Sequence, residues 1–397
     1  MNKNKIINDP VYGFITIPYP ILYDIVEHPY FQRLRRIQQL GLTNYVYPGA
    51  QHTRFAHALG AMHLMNRTLE VLRSKGIAIS KEEEIGALAA ILLHDVGHGP
   101  YSHTLEHTIL EVHHEELSKM IMYHLNDELN GQLDLAIKIF SGNYDRGFFH
   151  QLVASQLDLD RMDYLTRDSF FTGVSEGVIG YNRILNMLTV VDDELVVEEK
   201  GIYSIEKYLT ARRIMYWQTY LHKTVLATEK MLVSLLKRFK SKFEDYNDWL
   251  ITPYFRRILE ARTQADVDLG DFVKLDDYDI MLLVKSLVGH PDSVLHILSD
   301  GIINRRLFKT ILQDSQIKDE KLDRINVQIQ HSLNLTAEES SYLLLSGTES
   351  NLAYTLHKDH IKILGKDGEI RTFPEVLGTG VNSQRFAKHY LCYPKYM

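Results

Sequence analysis

The sequence predicts a mainly α-helical protein with a smaller mixed α/β lobe and short β-hairpins. In the first 245 residues, apolar side chains recur at helical spacing in segments longer than an ordinary strand. Three shorter stretches have the composition or turn signals of β-structure. The pattern after residue 245 is more mixed. We therefore expect a helical core over residues 1–245 and a C-terminal lobe over 246–397 that serves oligomerisation or regulation.

The helical segments share apolar positions three and four residues apart. They are PILYDIVEHPYFQRLRRIQQL, HALGAMHLMNRTLEVLRS, EEEIGALAAILLHD, HHEELSKMIMYHL, QLVASQLDLDRMDYLTRDSFF and YSIEKYLTARRIMYWQTYLHKTVLATEKMLVSLLKRF. The strand candidates are FITI, the hairpin TVVDDELVVE, and IKILGKDGEIRTF, in which Lys-Asp-Gly is a turn signal.

The composition is that of a globular protein that does not enter a membrane. Hydrophobic residues make up 45% and charged residues 24% of the 397 residues. The apolar run ALAAILL is too short to span a bilayer, and MNKNKIINDP has no apolar core of a signal peptide. The single Cys392 excludes an intrachain disulfide and suits a reducing compartment. We expect a cytoplasmic protein.

The charge argues against duplex nucleic acid as the main partner, because the formal net charge is -7. Three local basic clusters, RLRRIQ, LKRFKSK and NRRLFKT, are each explained by a solvated helix face. Together they could bind phosphate, so nucleic-acid binding is left open as a side activity.

Histidine is concentrated in one part of the chain. Six of the 19 histidines fall between residues 94 and 114, in and after the stretch LLHDVGHGPYSH. Here an acid-capped, apolar helix ends in His94 and Asp95. A buried, unpaired aspartate is costly, so the pair must either be satisfied by local donors or share a cation.

Further candidate ligands lie in two other helical segments. His57 enters the helix after QHTRFA, and Asp160 lies in the acidic run SQLDLDRMDYLTRD. A set of two histidines and two aspartates would suit iron, manganese, zinc, nickel or magnesium, and it would leave positions open for water and substrate.

These residues form the pattern H…HD…D, which resembles the HD-domain metal-dependent phosphohydrolases. The match extends to INDPVYGFI, HPYFQRLRRIQQLG, VYPGAQHTRFAHALG, HDVGHGPYSH, HHE, DLDRMDYLTRD and YLHK, in that order. This set resembles the deoxynucleoside triphosphate triphosphohydrolases, in the branch of the vertebrate sterile-alpha-motif/HD enzymes. The likeness is strong over residues 1–225 and patchy afterwards, and no sterile-alpha-motif domain is expected.

The resemblance implies a divalent metal held by His57, His94, Asp95 and Asp160. It also implies that metal-activated water attacks the α-phosphorus of a deoxynucleoside triphosphate, which releases inorganic triphosphate and a deoxynucleoside. His98, His103 and His114 match histidines around the α-phosphate. His103 is our choice of general acid, with Glu106 able to orient it.

The resemblance also implies a substrate pocket. Arg54, Arg212 and Lys223 match phosphate contacts, and Arg161 keeps the charge where the family has lysine. Gln39, Leu40, Tyr164 and Asp168 match the sugar pocket, and Tyr220 would crowd the 2′ position of a ribonucleotide. Tyr216 stands where the animal branch has histidine, so no base preference is implied.

A regulatory nucleotide site is implied as well, because some members of the branch are oligomers activated by nucleotides. We expect a homo-dimer or homo-tetramer with dGTP or GTP as the activator. The matching residues are Lys5, Ile6, Asn8, Gln32, Arg35, Lys200, Arg305 and Lys309. Glu27 and Glu198 depart from the family pattern. Surface charges near an oligomer contact would explain the same residues.

Two alternative functions remain. One is another HD phosphohydrolase that acts on nucleoside monophosphates or signalling nucleotides. However, Val96-Gly97-His98 replaces the acidic pair of the alarmone hydrolases, and no Gly-Tyr-Pro signature follows. The other is a non-catalytic protein that binds nucleotides or single-stranded nucleic acid.

Overall fold

The computed structural model confirms the mainly α-helical prediction. It describes residues 5–104, 108, 112–243, 251–261, 266–351, 360–377 and 386–395, without the side chains of 103, 350, 351 and 386. The first helices are α1 (Pro20–Glu27), α2 (Pro29–Gln32), α3 (Arg54–Ser74), α4 (Lys81–Leu93), α5 (His114–Glu128), α6 (Asp134–Phe140), α7 (Phe148–Val153), α8 (Leu159–Thr172), α9 (Tyr181–Met187), α10 (Ile202–Met215) and α11 (Lys223–Ser241). They are followed by α12 (Pro253–Glu260), α13 (Leu269–Phe272), α14 (Asp277–Ser286), α15 (Ser293–Ile303), α16 (Asp319–Leu333), α17 (Ala337–Ser341) and α18 (Phe373–Leu377).

Helix α4 lies at the centre of the bundle and begins with a strong cap. Ser80 accepts a hydrogen bond from the backbone N–H of Glu83, whose carboxylate accepts the N–H of Ser80 in return. Residues 87–93 are all buried, and α4 packs against α3 and α6. Helix α3 also packs against α8. Among the described residues, no helix is both long enough and apolar enough to cross a membrane.

Three predicted helical segments are interrupted, and in one of them residues 154–158 separate α7 from α8. The first is divided at Pro29, because the residue before a proline is pushed out of the helical region, and His28 has a ψ of 138°. The last is divided between α10 and α11 by a π-helical turn at Tyr216–Tyr220. Such wide turns are frequent at functional sites.

Short strands form three sheets in the described part of the chain. The strands are β1 (Lys5–Asp9), β2 (Gly13–Ile17), β3 (Leu188–Val191), β4 (Glu194–Glu198), β5 (Lys309–Gln313), β6 (Leu345–Asn351), β7 (Lys362–Leu364), β8 (Ile370–Thr372) and β9 (Phe386–Tyr393). The sheet orders are β1-β2, β3-β4-β7-β8 and β5-β9-β6. The three predicted β-regions are confirmed as β2, β3–β4 and β7–β8, whereas β1, β5, β6 and β9 were not predicted.

The two halves of the chain share one hydrophobic core. Buried residues before and after 245 belong to the same cluster, and α11 packs against α15 and β5. Strand β4 pairs in parallel with β7, with Val196 opposite Lys362 and Glu198 opposite Leu364. The C-terminal residues therefore complete a sheet begun in the first half.

The environment of Cys392 predicts an unreactive thiol. Cys392 is fully buried opposite Thr310 in the β5–β9 pair, and burial raises the pKa of its thiol to about 11. At pH 8 we expect at least about 100-fold slower reaction with a thiol reagent than in the urea-unfolded chain. A colorimetric thiol assay measures this rate, with Cys392→Ser as background. Equal rates for the folded and unfolded chains would contradict the prediction.

Candidate active site

Three helices bring three predicted metal ligands to one point. His57 lies in the first turn of α3, His94 caps the end of α4, and Asp160 lies in the first turn of α8. The Nε2 atoms of the two histidines are 3.3 Å apart. Oδ1 of Asp160 is 3.1 Å from Nε2 of His57 and 3.4 Å from Nε2 of His94. Among the described residues, this trio has the geometry of a metal-binding group.

The hydrogen bonds of the two imidazoles explain why this point favours a cation. Nδ1 of His94 is 2.6 Å from the carbonyl oxygen of Ile91, which can only accept a hydrogen bond. Nδ1 of His57 donates to Oδ2 of Asp163 at 2.7 Å. In neutral rings, both Nε2 atoms therefore carry lone pairs that face the Asp160 carboxylate. This donor set fits a divalent metal ion.

The electrostatics of His57 agree with this interpretation. Burial alone would lower the pKa of its imidazole. The hydrogen bonds and charges of Asp160 and Asp163 outweigh burial and raise the pKa to about 10. The carboxylates therefore favour positive charge at this position, whether a proton or a metal ion supplies it.

Asp95, the fourth predicted ligand, lies beside this trio. Its Oδ2 is 3.6 Å from Nε2 of His57 and also accepts a hydrogen bond from Nη1 of Arg54. Its Oδ1 is 3.5 Å from Nε2 of His94 and 3.2 Å from Nε2 of His98. Although burial acts in the opposite direction, Arg54 and the histidines hold the pKa of Asp95 well below its usual range.

A buried network of charges supports His57 from behind. The carboxylate of Asp163 accepts hydrogen bonds from Nε of Arg167 at 3.0 Å and from Nη2 at 3.1 Å. Nη1 of Arg167 donates to Asp9 at 2.7 Å. Arg167 and Asp163 are fully buried. Gly60 of α3 makes room for this pair, because a Cβ atom there would overlap Oδ1 of Asp163 and Nη2 of Arg167.

The segment 96–102, which we call the motif loop, follows the metal ligands His94 and Asp95. Its Gly97 N–H donates to Oγ of Ser118, and a Cβ at Gly97 would overlap the backbone of α5. The ring of His98 stacks on that of His114, with centroids 4.0 Å apart. Burial and then Arg54 keep the pKa of His98 well below its usual range, so its ring is neutral at neutral pH.

The predicted general acid lies just after this loop. His103 falls in a 3₁₀ turn formed by Ser102–Thr104, but its side chain is outside the described part of the structure. Glu106 lies outside the described residues altogether. Their predicted pairing therefore stays a prediction.

Farther along α8, a second group of polar side chains surrounds Asp168. One carboxylate oxygen is 2.7 Å from Nε2 of His52, and the other accepts the hydroxyl of Tyr220 at 2.7 Å. The ring of His52 stacks on Phe171. Oε1 of Gln39 and Nδ1 of His52 are buried without a hydrogen-bond partner among the described residues. The predicted sugar-pocket residues Gln39 and Asp168 are thus linked through His52, whose carbonyl accepts the Gln39 N–H. Leu40 is half-buried.

The predicted phosphate-binding cations differ in their surroundings. Arg161 forms an ion pair with Asp158, the residue that caps α8. Nη1 of Arg212 is 3.3 Å from Oε1 of Gln156, and Lys223 is exposed in the first turn of α11. Tyr164 lies between the two groups on α8, and its ring meets that of Tyr220 edge-on at 6.4 Å.

The comparisons with known proteins agree with this geometry. Residues 179–248 match the model of the HD associated region. The crystal structure of a phosphohydrolase from Bacteroides thetaiotaomicron superposes with a TM-score of 0.94 at 48% identity, over 99% of this chain and 100% of that chain. An uncharacterized protein of Bacillus subtilis, YwfO, is 30% identical over 100% of this chain and 93% of its own length.

The chain belongs to the HD phosphohydrolase family.

A further relative is the Homo sapiens deoxynucleoside triphosphate triphosphohydrolase SAMHD1, which is 27% identical to this chain. The match covers 81% of this chain and 57% of the human protein.

The predicted regulatory residues lie in several parts of this HD phosphohydrolase. Gln32 and Arg35 are in contact at 2.8 Å, and Arg35 lies over the ring of Phe55. Lys5, Ile6 and Asn8 lie on β1, and Lys200 precedes α10. Nε of Arg305 donates to the carbonyl of Tyr45, and Lys309 begins β5. A shared nucleotide site for these residues stays a prediction.

Sequence reasoning missed the residues that hold the ligands in place. Asp9, Arg167, His52 and Ser118 were given no role. Ser118 contacts His94, Arg167 and Asp9 belong to the charge network behind His57, and His52 contacts Asp168. Helical spacing could have paired Asp163 with Arg167, which are four residues apart on α8. Nothing local could have paired Arg167 with Asp9, because they are distant in the sequence.

The support of His57 predicts the effect of an Asp163→Asn substitution. An amide nitrogen in place of one carboxylate oxygen would disturb both the His57 Nδ1 contact and the Arg167 pair. We expect metal affinity to fall about 10- to 100-fold, as for other second-layer partners of histidine ligands. Competition with a chelator, followed by metal analysis, measures this affinity.

The matched control is Glu128→Gln, which removes a half-exposed carboxylate that contacts His28 and His124 on the surface. It should bind metal like the wild type. Unchanged affinity in a folded Asp163→Asn protein would show that Asp163 does not support the metal ligand.

Proposed function

We propose that this protein is a metal-dependent deoxynucleoside triphosphate triphosphohydrolase. The observation that carries the proposal is the single face of α8. Asp160, Tyr164 and Asp168 follow one another at intervals of four residues, so one helical face joins the metal-binding trio to the polar group around Asp168. A substrate with phosphate at one end and a sugar hydroxyl at the other would suit this face.

In the proposed reaction, water adds to the α-phosphorus and the bond from that phosphorus to the 5′-oxygen breaks. The products are tripolyphosphate and a deoxynucleoside. A divalent metal held by His57, His94, Asp95 and Asp160 would act as a Lewis acid and lower the pKa of water. Asp163 and the Ile91 carbonyl keep the two imidazole Nε2 atoms free to bind it.

The departing 5′-oxygen needs a proton, and we propose that His103 gives it, with Glu106 as its orienting partner. His98 has another task. Because it is neutral and stacked on His114, it can hydrogen-bond near the phosphate without adding charge. The guanidinium of Arg54 donates to both Asp95 and Ser102, and these contacts fix its positive charge beside the proposed phosphate site.

The cations Arg161, Arg212 and Lys223 would neutralise the phosphate chain of the substrate through charge-assisted hydrogen bonds. Arg161 is already paired with Asp158, so phosphate would have to share or displace that contact. The 3′-hydroxyl would donate its single proton to the carboxylate of Asp168 or to the unpartnered Oε1 of Gln39.

The name and sequence of SAMHD1, a deoxynucleoside triphosphate triphosphohydrolase by name, support the same substrate class for this chain. We also propose that the protein forms a homo-dimer or homo-tetramer and that dGTP or GTP activates it.

Product analysis tests the proposed function. The protein is incubated with each dNTP, alone and in pairs, together with Mg²⁺, Mn²⁺ or Fe²⁺. Tripolyphosphate as the product would support the proposal. Pyrophosphate or orthophosphate would point to another HD phosphohydrolase activity, and binding without any product would point to a non-catalytic protein. An activator effect would appear as faster turnover of one dNTP when dGTP or GTP is added.

Two histidine substitutions separate metal binding from proton transfer. His94→Ala removes a ligand, so we expect loss of bound metal and of detectable turnover. His103→Ala should keep the metal and lower kcat about 100-fold or more, because general acid catalysis contributes on that scale. Metal analysis and steady-state kinetics measure both. Loss of metal from the His103→Ala protein would contradict this division of roles.

Tyr220 predicts the selectivity between deoxyribose and ribose. Its hydroxyl is fixed by Asp168 at 2.7 Å, so its ring cannot swing away without breaking that bond. Tyr220→Ala should open space for the 2′-hydroxyl of a ribonucleotide. It should lower the ratio of the kcat/KM for a dNTP to that for the matching NTP about 10-fold or more. Competition assays with paired dNTP and NTP measure the ratio. Tyr203→Ala, which changes a tyrosine that is 81% exposed, is the control.

A further inference from the structure

Residues 272–277 of the C-terminal half lie directly behind the motif loop. The ring of Phe272 is the nearest neighbour that a Cβ at Gly99 would meet, at 3.7 Å. The same ring lies 4.7 Å from the guanidinium carbon of Arg33. We call residues 272–277 the backing segment. It packs against the side of the motif loop where Gly99 lies.

Asp277 in the backing segment uses both carboxylate oxygens to hold two backbone segments of the site. Oδ1 accepts the N–H of Tyr101, in the motif loop, at 2.7 Å. Oδ2 accepts the N–H of Gln38, next to the proposed sugar-binding Gln39, at 2.7 Å. The side chain is almost entirely removed from solvent, because Asp277 is 4% exposed. One buried carboxylate therefore joins the phosphate side of the site to the sugar side.

Arg33 supplies a further link between the backing segment and the motif loop. Its fully buried guanidinium donates to the carbonyls of Leu275 at 2.9 Å, His98 at 2.6 Å and Val96 at 3.3 Å. Leu275 belongs to the backing segment, and the other two carbonyls belong to the motif loop. Arg33 and Asp277 thus fasten the loop through its carbonyl and amide groups respectively.

The backbone of the motif loop needs such a support. Tyr101 and Ser102 have φ angles of 51° and 52°, in the left-handed region that residues other than glycine seldom adopt. Such a conformation persists only where the surroundings enforce it. The Asp277 bond fixes Tyr101, and Oγ of Ser102 accepts Nε of Arg54 at 2.7 Å. Arg54 in turn contacts the metal-ligand candidate Asp95.

We propose that Asp277 is a positioning residue for catalysis, which holds the motif loop in the left-handed turn that aims the residues of the loop at the α-phosphate. The role in turnover rests on the proposed function, whereas the role in holding the loop does not. Two acceptor oxygens are required, since two N–H groups point at this side chain. Asparagine has nearly the same shape, but it would turn an NH₂ group toward one of these donors.

The test compares Asp277→Asn with Asp276→Asn. Asp276 is the neighbouring residue, caps α14, and forms an ion pair with the partly exposed Arg36. Both substitutions replace an aspartate by an amide of nearly the same shape at adjacent positions, and asparagine is also a good helix cap. The measurements are kcat and KM for a dNTP, bound metal, the midpoint of thermal unfolding, and hydrogen exchange of the Tyr101 and Gln38 amides.

For Asp277→Asn we expect kcat to fall about 100-fold, the scale of a small misplacement of catalytic groups. Bound metal should stay at the wild-type level, and the Tyr101 amide should exchange faster. Asp276→Asn should match the wild type in kcat, KM, bound metal and exchange of the Tyr101 and Gln38 amides. Wild-type kcat in Asp277→Asn, or loss of its metal together with turnover, would overturn the positioning role.

Failure of the variant to fold and failure of the proposed function can each be told apart from failure of the positioning role. If Asp277→Asn does not fold, hydrogen exchange of the wild type decides. Both amides should then exchange as slowly as those of α4, and fast exchange would overturn the proposal. If the wild type hydrolyses no dNTP, the proposed function fails. The exchange comparison between the two variants would still test whether Asp277 holds the loop.

Discussion

Two imidazole nitrogens that face each other across 3.3 Å, with a carboxylate beside them, set the main constraint on this fold. When both rings are neutral, neither Nε2 atom has a proton to donate to the other, so the arrangement favours positive charge here, from a proton or a metal ion. Holding it in place takes the start of α3, the end of α4 and the start of α8. The buried apolar faces of these helices fix the three positions relative to one another.

The second requirement is that every buried charge near this point has a partner. Arg167 lies between Asp163 and Asp9, Arg54 between Asp95 and Ser102, and Arg33 among three carbonyls. Breaking one side of such a buried pair leaves an uncompensated charge and is strongly destabilising. The residues that support the site therefore also stabilise the fold. Substitutions that test their role should keep the shape of the side chain, so that the protein still folds.

The sequence predicted the helical class, most helices of the first half and the residues that converge at the metal-binding trio. It could do so because apolar periodicity and the H…HD…D spacing are local patterns or short motifs. The strands β5, β6 and β9 were missed, since their pairing joins segments far apart in the chain. Strand β1 was missed although its hairpin with β2 is local. The contacts of Asp9 with Arg167 and of Asp277 with Tyr101 were missed for the same reason. The π-helical turn at Tyr216–Tyr220 was also missed, because the apolar pattern continues through it.

The parallel pairing of β4 with β7 has a consequence for the order in which the protein matures. All four metal-ligand candidates precede β4 in the chain, whereas the partner strand and residues 272–277 are synthesised later. Contacts of such long sequence separation form slowly, because a large loop must close first. A growing chain would thus contain all four metal-ligand candidates before β7 completes its sheet and before residues 272–277 support the motif loop. Assembly from the C-terminal side would act as the final step that makes the site operational.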